Sequence, residues 1–177
     1  MPKQVVLTRD SKIDDLKDRV RASAEETQLK VAEIVGDTEP LDFLFRLKFE
    51  RLGCDPLDAS RELNLIEQVN QTFTYLASLS AAEFLFDRHP QVKRLKLNLG
   101  TDSGWDVETA DDGGIVAEVF AAVRPGNNRK LALDIAKVAA ADARHRYVLF
   151  ASPICAVGKY RCIAPQGVTV WSLGCDF

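Results

Sequence analysis

Histidine is scarce, long apolar runs are missing, and cysteine occurs without metal-ligand spacing. The chain holds two histidines, His89 and His145, and four cysteines, Cys54, Cys155, Cys162 and Cys175, with no CxxC pair. Structural zinc draws on closely spaced Cys or His, so a zinc site is not expected. No stretch approaches the roughly 18 uncharged apolar residues that a membrane span needs, so no membrane partner is expected. No long apolar region follows Met1-Pro2-Lys3-Gln4, so no secretory signal is read and a cytoplasmic location is expected. Thiols there stay reduced, and a Cys155–Cys162 disulfide is not expected. Internal repeats and low-complexity segments are absent too.

What remains is a globular composition. The 177 residues are 46% hydrophobic and 28% charged, with a net charge of -3. Too many apolar residues and too little net charge exclude bulk disorder. The signs of charge are segregated along the chain. Arg88, Lys93, Arg94 and Lys96 form a cationic run without an acid. Asp102, Asp106, Glu108, Asp111, Asp112 and Glu118 then form an acidic run without a cation. Residues 124–161 return eight cations against Asp134 and Asp142. A solvated turn at Asp111-Asp112-Gly113-Gly114 would collect acids by itself. A phosphodiester-cutting site would also place carboxylates for a divalent cation between cations for phosphate.

Periodicity supplies the elements. Ile13, Leu16, Val20, Ala24, Val31 and Ile34 predict an amphipathic helix over 11–35, and the run 41–52 a second, short one. Together they predict an N-terminal helical extension, 1–55, used for packing or dimerisation, ahead of a core at 56–177. Asp55 to Ser60 offers N-cap residues, and a long helix is expected over 60–86. Its apolar face would be Leu63, Ile66, Val69, Phe73 and Leu76, widened by Leu65 and Leu79. Ser60, Asn64, Glu67, Gln71, Thr74 and Ser78 would form a polar stripe beside it. Alternation predicts strands at 93–99, 105–110 and 115–123. A loop at 100–104 and a turn at 111–114 join them. A helix follows over 129–143, capped by Asn127 or Asn128, then strands at 146–152 and 167–173. The strands on either side of that helix should run parallel. The expected fold class is α/β, a mixed sheet flanked by helices.

The hairpin carries the chemistry. If Thr109 pairs with Ile115, Asp106 lies opposite Glu118 and the two side chains project together. Paired carboxylates repel unless a proton or cation is shared, and a divalent metal is the natural occupant. Strand 115–123 has one charge in nine residues, so Glu118 is a lone acid in a buried strand.

Gly104-Trp105-Asp106-Val107, the hairpin, and Ala117-Glu118-Val119-Phe120 resemble the core of the PD-(D/E)XK nucleases over residues 60–152. Within that restriction-endonuclease-like superfamily, the Gly-x-Asp loop and short hairpin most resemble the archaeal Holliday-junction resolvases. The resemblance implies that Asp106 and Glu118 bind Mg²⁺ or Mn²⁺, with Glu67 assisting, in a homodimeric DNA nuclease. The family's lysine falls two residues after the acid, where this chain has Phe120. Lys130, in the first turn of the following helix, is the candidate to replace it. Lys93, Arg94, Lys96, Arg124, Asn127, Asn128 and Arg129 are the candidates to hold DNA phosphates. Three readings stay open: a metal-dependent phosphodiesterase, a DNA-binding protein without chemistry, and a protein-assembly module built on the N-terminal helices. A pI of about 5.5 keeps the third in view.

Overall fold

The computed structural model describes residues 4–36, 38–100, 103–111 and 114–177. The middle of the expected loop (Thr101, Asp102) and of the expected turn (Asp112, Gly113) lies outside the described residues. The fold is mixed α/β: a large mixed sheet with helices. The chain divides into two compact units, residues 12–76, and residues 1–11 with 77–177.

The sheet unit contains β1 (Gln4–Thr8), β4 (Arg94–Asn98), β5 (Val107–Thr109), β6 (Ile115–Ala121), β7 (His145–Ala151), β8 (Gly158–Lys159) and β9 (Val168–Gly174); β2 (Gly53–Asp55), β3 (Asp58–Leu63) and the first helices belong to the other unit. The spatial order is β1-β4-β5-β6-β7-β9-β8. The three strands β4, β5 and β6 are antiparallel neighbours. Helix α4 (Lys130–Ala139) then crosses over, and β7 lies parallel to β6, as the sequence predicts for a strand-helix-strand unit. All the residues of β6 but the last are buried, which its near-continuous apolar run requires. On one face Phe120, Val148, Phe150 and Val170 meet Leu131, Ile135 and Val138 of α4. The three- and four-residue spacing of those helix residues puts them on one stripe. On the other face Phe84, near the end of α3 (Leu65–Arg88), packs against the rings of Tyr147 and Trp171.

β1 corrects the sequence reading. Residues 4–8 belong to no helical extension: they pair antiparallel with β4. Arg9 follows and donates to the carbonyls of Phe86, His89 and Val92.

The 12–76 unit holds α1 (Ile13–Val35), α2 (Pro40–Phe49), a hairpin of β2 (Gly53–Asp55) and β3 (Asp58–Leu63), and the first half of α3. The expected helix start at Ser60 is thus a strand. Asp55 and Asp58 are turn residues: the Asp55 carboxylate accepts from Leu57 N, and Asp58 from Ser60 N and Oγ. The helix begins after Asn64. Asn64 Oδ1 accepts from Glu67 N at 2.8 Å and Glu67 Oε2 accepts from Asn64 N at 3.1 Å, a reciprocal capping box. The face of α3 differs as well. Ile66, Val69 and Phe73 are exposed, whereas Gln68 is buried. Gln68 Nε2 donates to Ser23 O, and Thr27 Oγ1 donates to Gln68 Oε1 at 2.7 Å, so α1 and α3 meet through hydrogen bonds. Apolar periodicity cannot register such a polar contact.

Candidate active site at the carboxylate hairpin

Val107 pairs with Ala117 and Glu108 with Val116, the register that follows from Thr109 opposite Ile115. Asp106 stands just before β5, and its Oδ2 accepts from Val119 N on β6 at 2.8 Å. Glu118, in the middle of β6, is buried, only 3% exposed. Even-numbered residues of β6 face α4, so Glu118 points to the same side as Phe120.

Helix α4 brings three charged side chains to that side. Lys130, Asp134 and Lys137 recur at four- and three-residue steps and share one face. Lys137 Nζ donates to Glu118 Oε1 at 2.6 Å and to Gly104 O at 2.7 Å, and lies 5.2 Å from the Trp105 ring centroid. Lys130 Nζ donates to Asp134 Oδ1 at 2.7 Å and sits 5.7 Å from the ring centroid of Phe120. An ammonium from α4 thus approaches the apolar ring of Phe120 on β6. Asp134 is 4% exposed, and its Oδ2 is a buried atom with no hydrogen-bond partner.

Burial dominates the electrostatics. It pushes the Asp106 carboxyl above its ordinary value, against the Val119 N–H and the charges of Lys130 and Lys137. It pushes Glu118 up likewise, opposed by the Lys137 hydrogen bond and reinforced by the Asp106 charge. Asp134 follows the same pattern, with Lys130 opposing and Asp106 reinforcing. Three poorly solvated carboxyls and two ammonium groups therefore form one coupled set.

The sequence-derived site residues divide into three groups. Asp106, Glu118 and Lys130 come together. Glu67 belongs to the 12–76 unit, where its carboxylate closes the capping box and pairs with Arg51 Nη1 at 3.1 Å. Among the phosphate-binding candidates, Arg94 is paired with Asp111 and Lys96 with Glu108, while Lys93, Arg124, Asn127, Asn128 and Arg129 are exposed. Neither Asn127 nor Asn128 caps α4: residues Asn127–Arg129 form a 3₁₀ turn with no side-chain cap bond. Asn128 and Arg129 are both left-handed, at φ 52° and 59°. Sequence reasoning missed Asp134 and Lys137. Their signal was the i, i+4, i+7 spacing from Lys130 on the face that also carries Leu131 and Val138.

Carboxylate oxygens are the donor type that hard divalent cations take. Here Asp106 and Glu118 each have one oxygen hydrogen-bonded, to Val119 N and Lys137 Nζ, while the buried unpartnered oxygen belongs to the neighbouring Asp134. Among the described residues no three His, Cys, Asp or Glu side chains form a group that could hold a metal ion. Mg²⁺ needs no such trio, since one or two carboxylates completed by waters and phosphate oxygens are usual. Among the described residues no helix is long and apolar enough to cross a membrane. No protein-family model, no curated protein and no solved structure matches the chain.

Proposed function

We propose that the chain is a metal-dependent phosphodiesterase acting on nucleic acid, of the PD-(D/E)XK kind, with DNA as the substrate. The observation that carries this reading is the convergence of α4's lysines on the Asp106–Glu118 hairpin: Lys137 on Glu118 at 2.6 Å and Lys130 over Phe120. A lysine two residues after the strand acid would reach the same space from β6. Here the helix supplies it.

Asp106 and Glu118 would hold Mg²⁺ or Mn²⁺, which when bound neutralises phosphate charge and makes water a stronger nucleophile at neutral pH. The Val119 N–H fixes one Asp106 oxygen and leaves the rest of the carboxylate to its ligand. Lys137 restrains Glu118 and presents a cation where negative charge would grow on the phosphate. Asp134 anchors the Lys130 ammonium near the Phe120 ring. Lys93, Arg124 and Arg129 are exposed cations for the nucleic-acid backbone.

The same reading includes a second copy of the chain. α2 carries Pro-Leu-Asp-Phe-Leu-Phe-Arg-Leu-Lys-Phe, and none of its residues is buried. Leu41 is 80% exposed, and Phe45 and Phe49 stack tilted beside it on the surface of that helix. An apolar helix left this open marks an interaction surface. That surface also keeps the assembly reading alive, as a property alongside catalysis.

The test is calorimetric titration of Mn²⁺, followed by cleavage of single-stranded, duplex and branched DNA. Asp106→Ala and Glu118→Ala should each lose metal binding and cleavage while keeping native circular dichroism. Lys137→Met and Lys130→Met should bind metal and cut at least about 10²-fold more slowly. Full cleavage by Asp106→Ala, or no metal binding by the wild type, overturns the reading.

A further inference from the structure

A second polar site lies at one end of the sheet, apart from the carboxylates. A cavity of about 190 Å³ is lined by Lys93 and Arg94 at the start of β4, Asp111 beyond β5, Ile115 at the start of β6, and Arg144 and His145 at the start of β7. Glu118 is three residues further along β6, about 10 Å at strand rise, and on the opposite face of the sheet from Ile115.

Among the described residues of its lining the charges do not cancel. Arg94 is paired with Asp111, the one acid among the described residues of the lining. Lys93 and Arg144 are exposed and have no ion-pair partner among the described residues. Two positive charges of the described lining therefore face one small polar space. Its floor is firm. The His145 ring packs on the His89 ring with centroids 4.4 Å apart, and His89 is 6% exposed. His89 Nε2 lies 2.8 Å from the Tyr147 hydroxyl, which ties the imidazole to β7. Burial, helped by His145 and Arg88, holds His89 below its ordinary value, so it supports the site as a neutral ring.

A rigid floor, an ammonium and a guanidinium with free donors, and a single acid already neutralised describe a receptor for a small oxyanion. Guanidinium groups match phosphate through parallel N–H donors, and lysine adds a point charge. We propose that this cavity binds a phosphate group, supplied by the nucleic-acid strand that also reaches the carboxylate site. The phosphate chemistry stands on the cavity alone; its source in nucleic acid rests on the nuclease reading. Arg144, which no motif marks, becomes a nucleic-acid contact on equal terms with Lys93.

The experiment is a ¹⁵N NMR titration of the full chain with inorganic phosphate, with chloride at matched ionic strength as control. The amides of Ile115 and His145 should shift and saturate, and the Lys93→Ala/Arg144→Ala double variant should bind at least about tenfold more weakly. Equal shifts with chloride, or an unchanged affinity in the double variant, overturn the site. A short oligonucleotide should then displace the phosphate; binding of phosphate without displacement overturns the nucleic-acid source and leaves a free phosphoryl compound. The titration is repeated on Asp106→Ala. A phosphate response there, with no cleavage by any form of the protein, means that the nuclease reading fails while the phosphate site stands.

Discussion

Asp106, Glu118 and Asp134 are each pushed above the ordinary carboxyl range by burial; the Asp106 charge pushes Glu118 and Asp134 further up, and the Asp134 charge adds to the rise at Glu118. The consequence for stability has a definite sign. Between the unfolded value, near 4, and the raised folded value, the native state holds more protons than the unfolded state. Stability therefore falls as pH rises through that window, and above it the cost is complete. Asp106→Asn keeps an oxygen for the Val119 N–H and removes one charge from the set. It should raise the urea midpoint at pH 7, and the gain should vanish as pH falls towards 4. A variant equally or less stable than wild type at pH 7 would contradict this account of the site's electrostatics. A stable variant without activity is the pattern expected where a buried charge is kept for chemistry.

The entry to α4 is the element with a measurable strain. Asn tolerates the left-handed region, but Arg129 at φ 59° pays a Cβ penalty of about 1–2 kcal/mol. Glycine there removes that penalty and adds about 0.5–1 kcal/mol of chain entropy cost. Arg129→Gly should therefore raise Tm by about 1–3 °C in scanning calorimetry, while weakening nucleic-acid affinity through the lost cation. A fall in Tm would show that the arginine side chain contributes more than its backbone costs. The strained turn also explains the missing cap. Asn127 and Asn128 are consumed in a 3₁₀ turn whose geometry turns neither side chain back onto α4. Sequence rules for helix starts find capping residues but not the turn that precludes them. The same limit applies at Asp55 to Ser60, where cap-forming residues close a hairpin and the true cap is Asn64 with Glu67.

Across the whole molecule, the exposed apolar surface is concentrated in the 12–76 unit. Leu41, Leu44, Phe45 and Phe49 of α2 are open, and a cleft of about 320 Å³ between α1 and α3 is lined by Val31, Val69 and Phe73 among others. Single exposed leucines need no explanation, but a helix without a buried residue does. Sedimentation velocity should find a dimer of the wild type at micromolar concentration. Leu44→Glu/Phe45→Glu should be monomeric and fold normally, since no buried contact is lost. A wild-type monomer across that range would remove the second copy from the proposal and leave the catalytic reading untouched.

The sequence by itself determined what depends on near neighbours along the chain. Alternation in β4 and β6 set which side chains share a face, and the short hairpin put Asp106 and Glu118 together. The apolar run of β7 after a helix implied a central parallel strand, and β7 pairs with β6 in parallel over seven residues. Only the tertiary structure decided the rest. Residues 4–8 join the sheet because β4 offers an open edge about ninety residues away, a partner that local pattern cannot reveal. Gln68 is buried, and Ile66 and Phe73 are not, because Ser23 and Thr27 satisfy the amide across the helix pair. Lys137 and Asp134 enter the site because the pitch of α4 over the sheet carries them, with Lys130, onto the face of Glu118. Spacing along a helix fixes which residues can act together; the packing of that helix on the sheet selects the face that does.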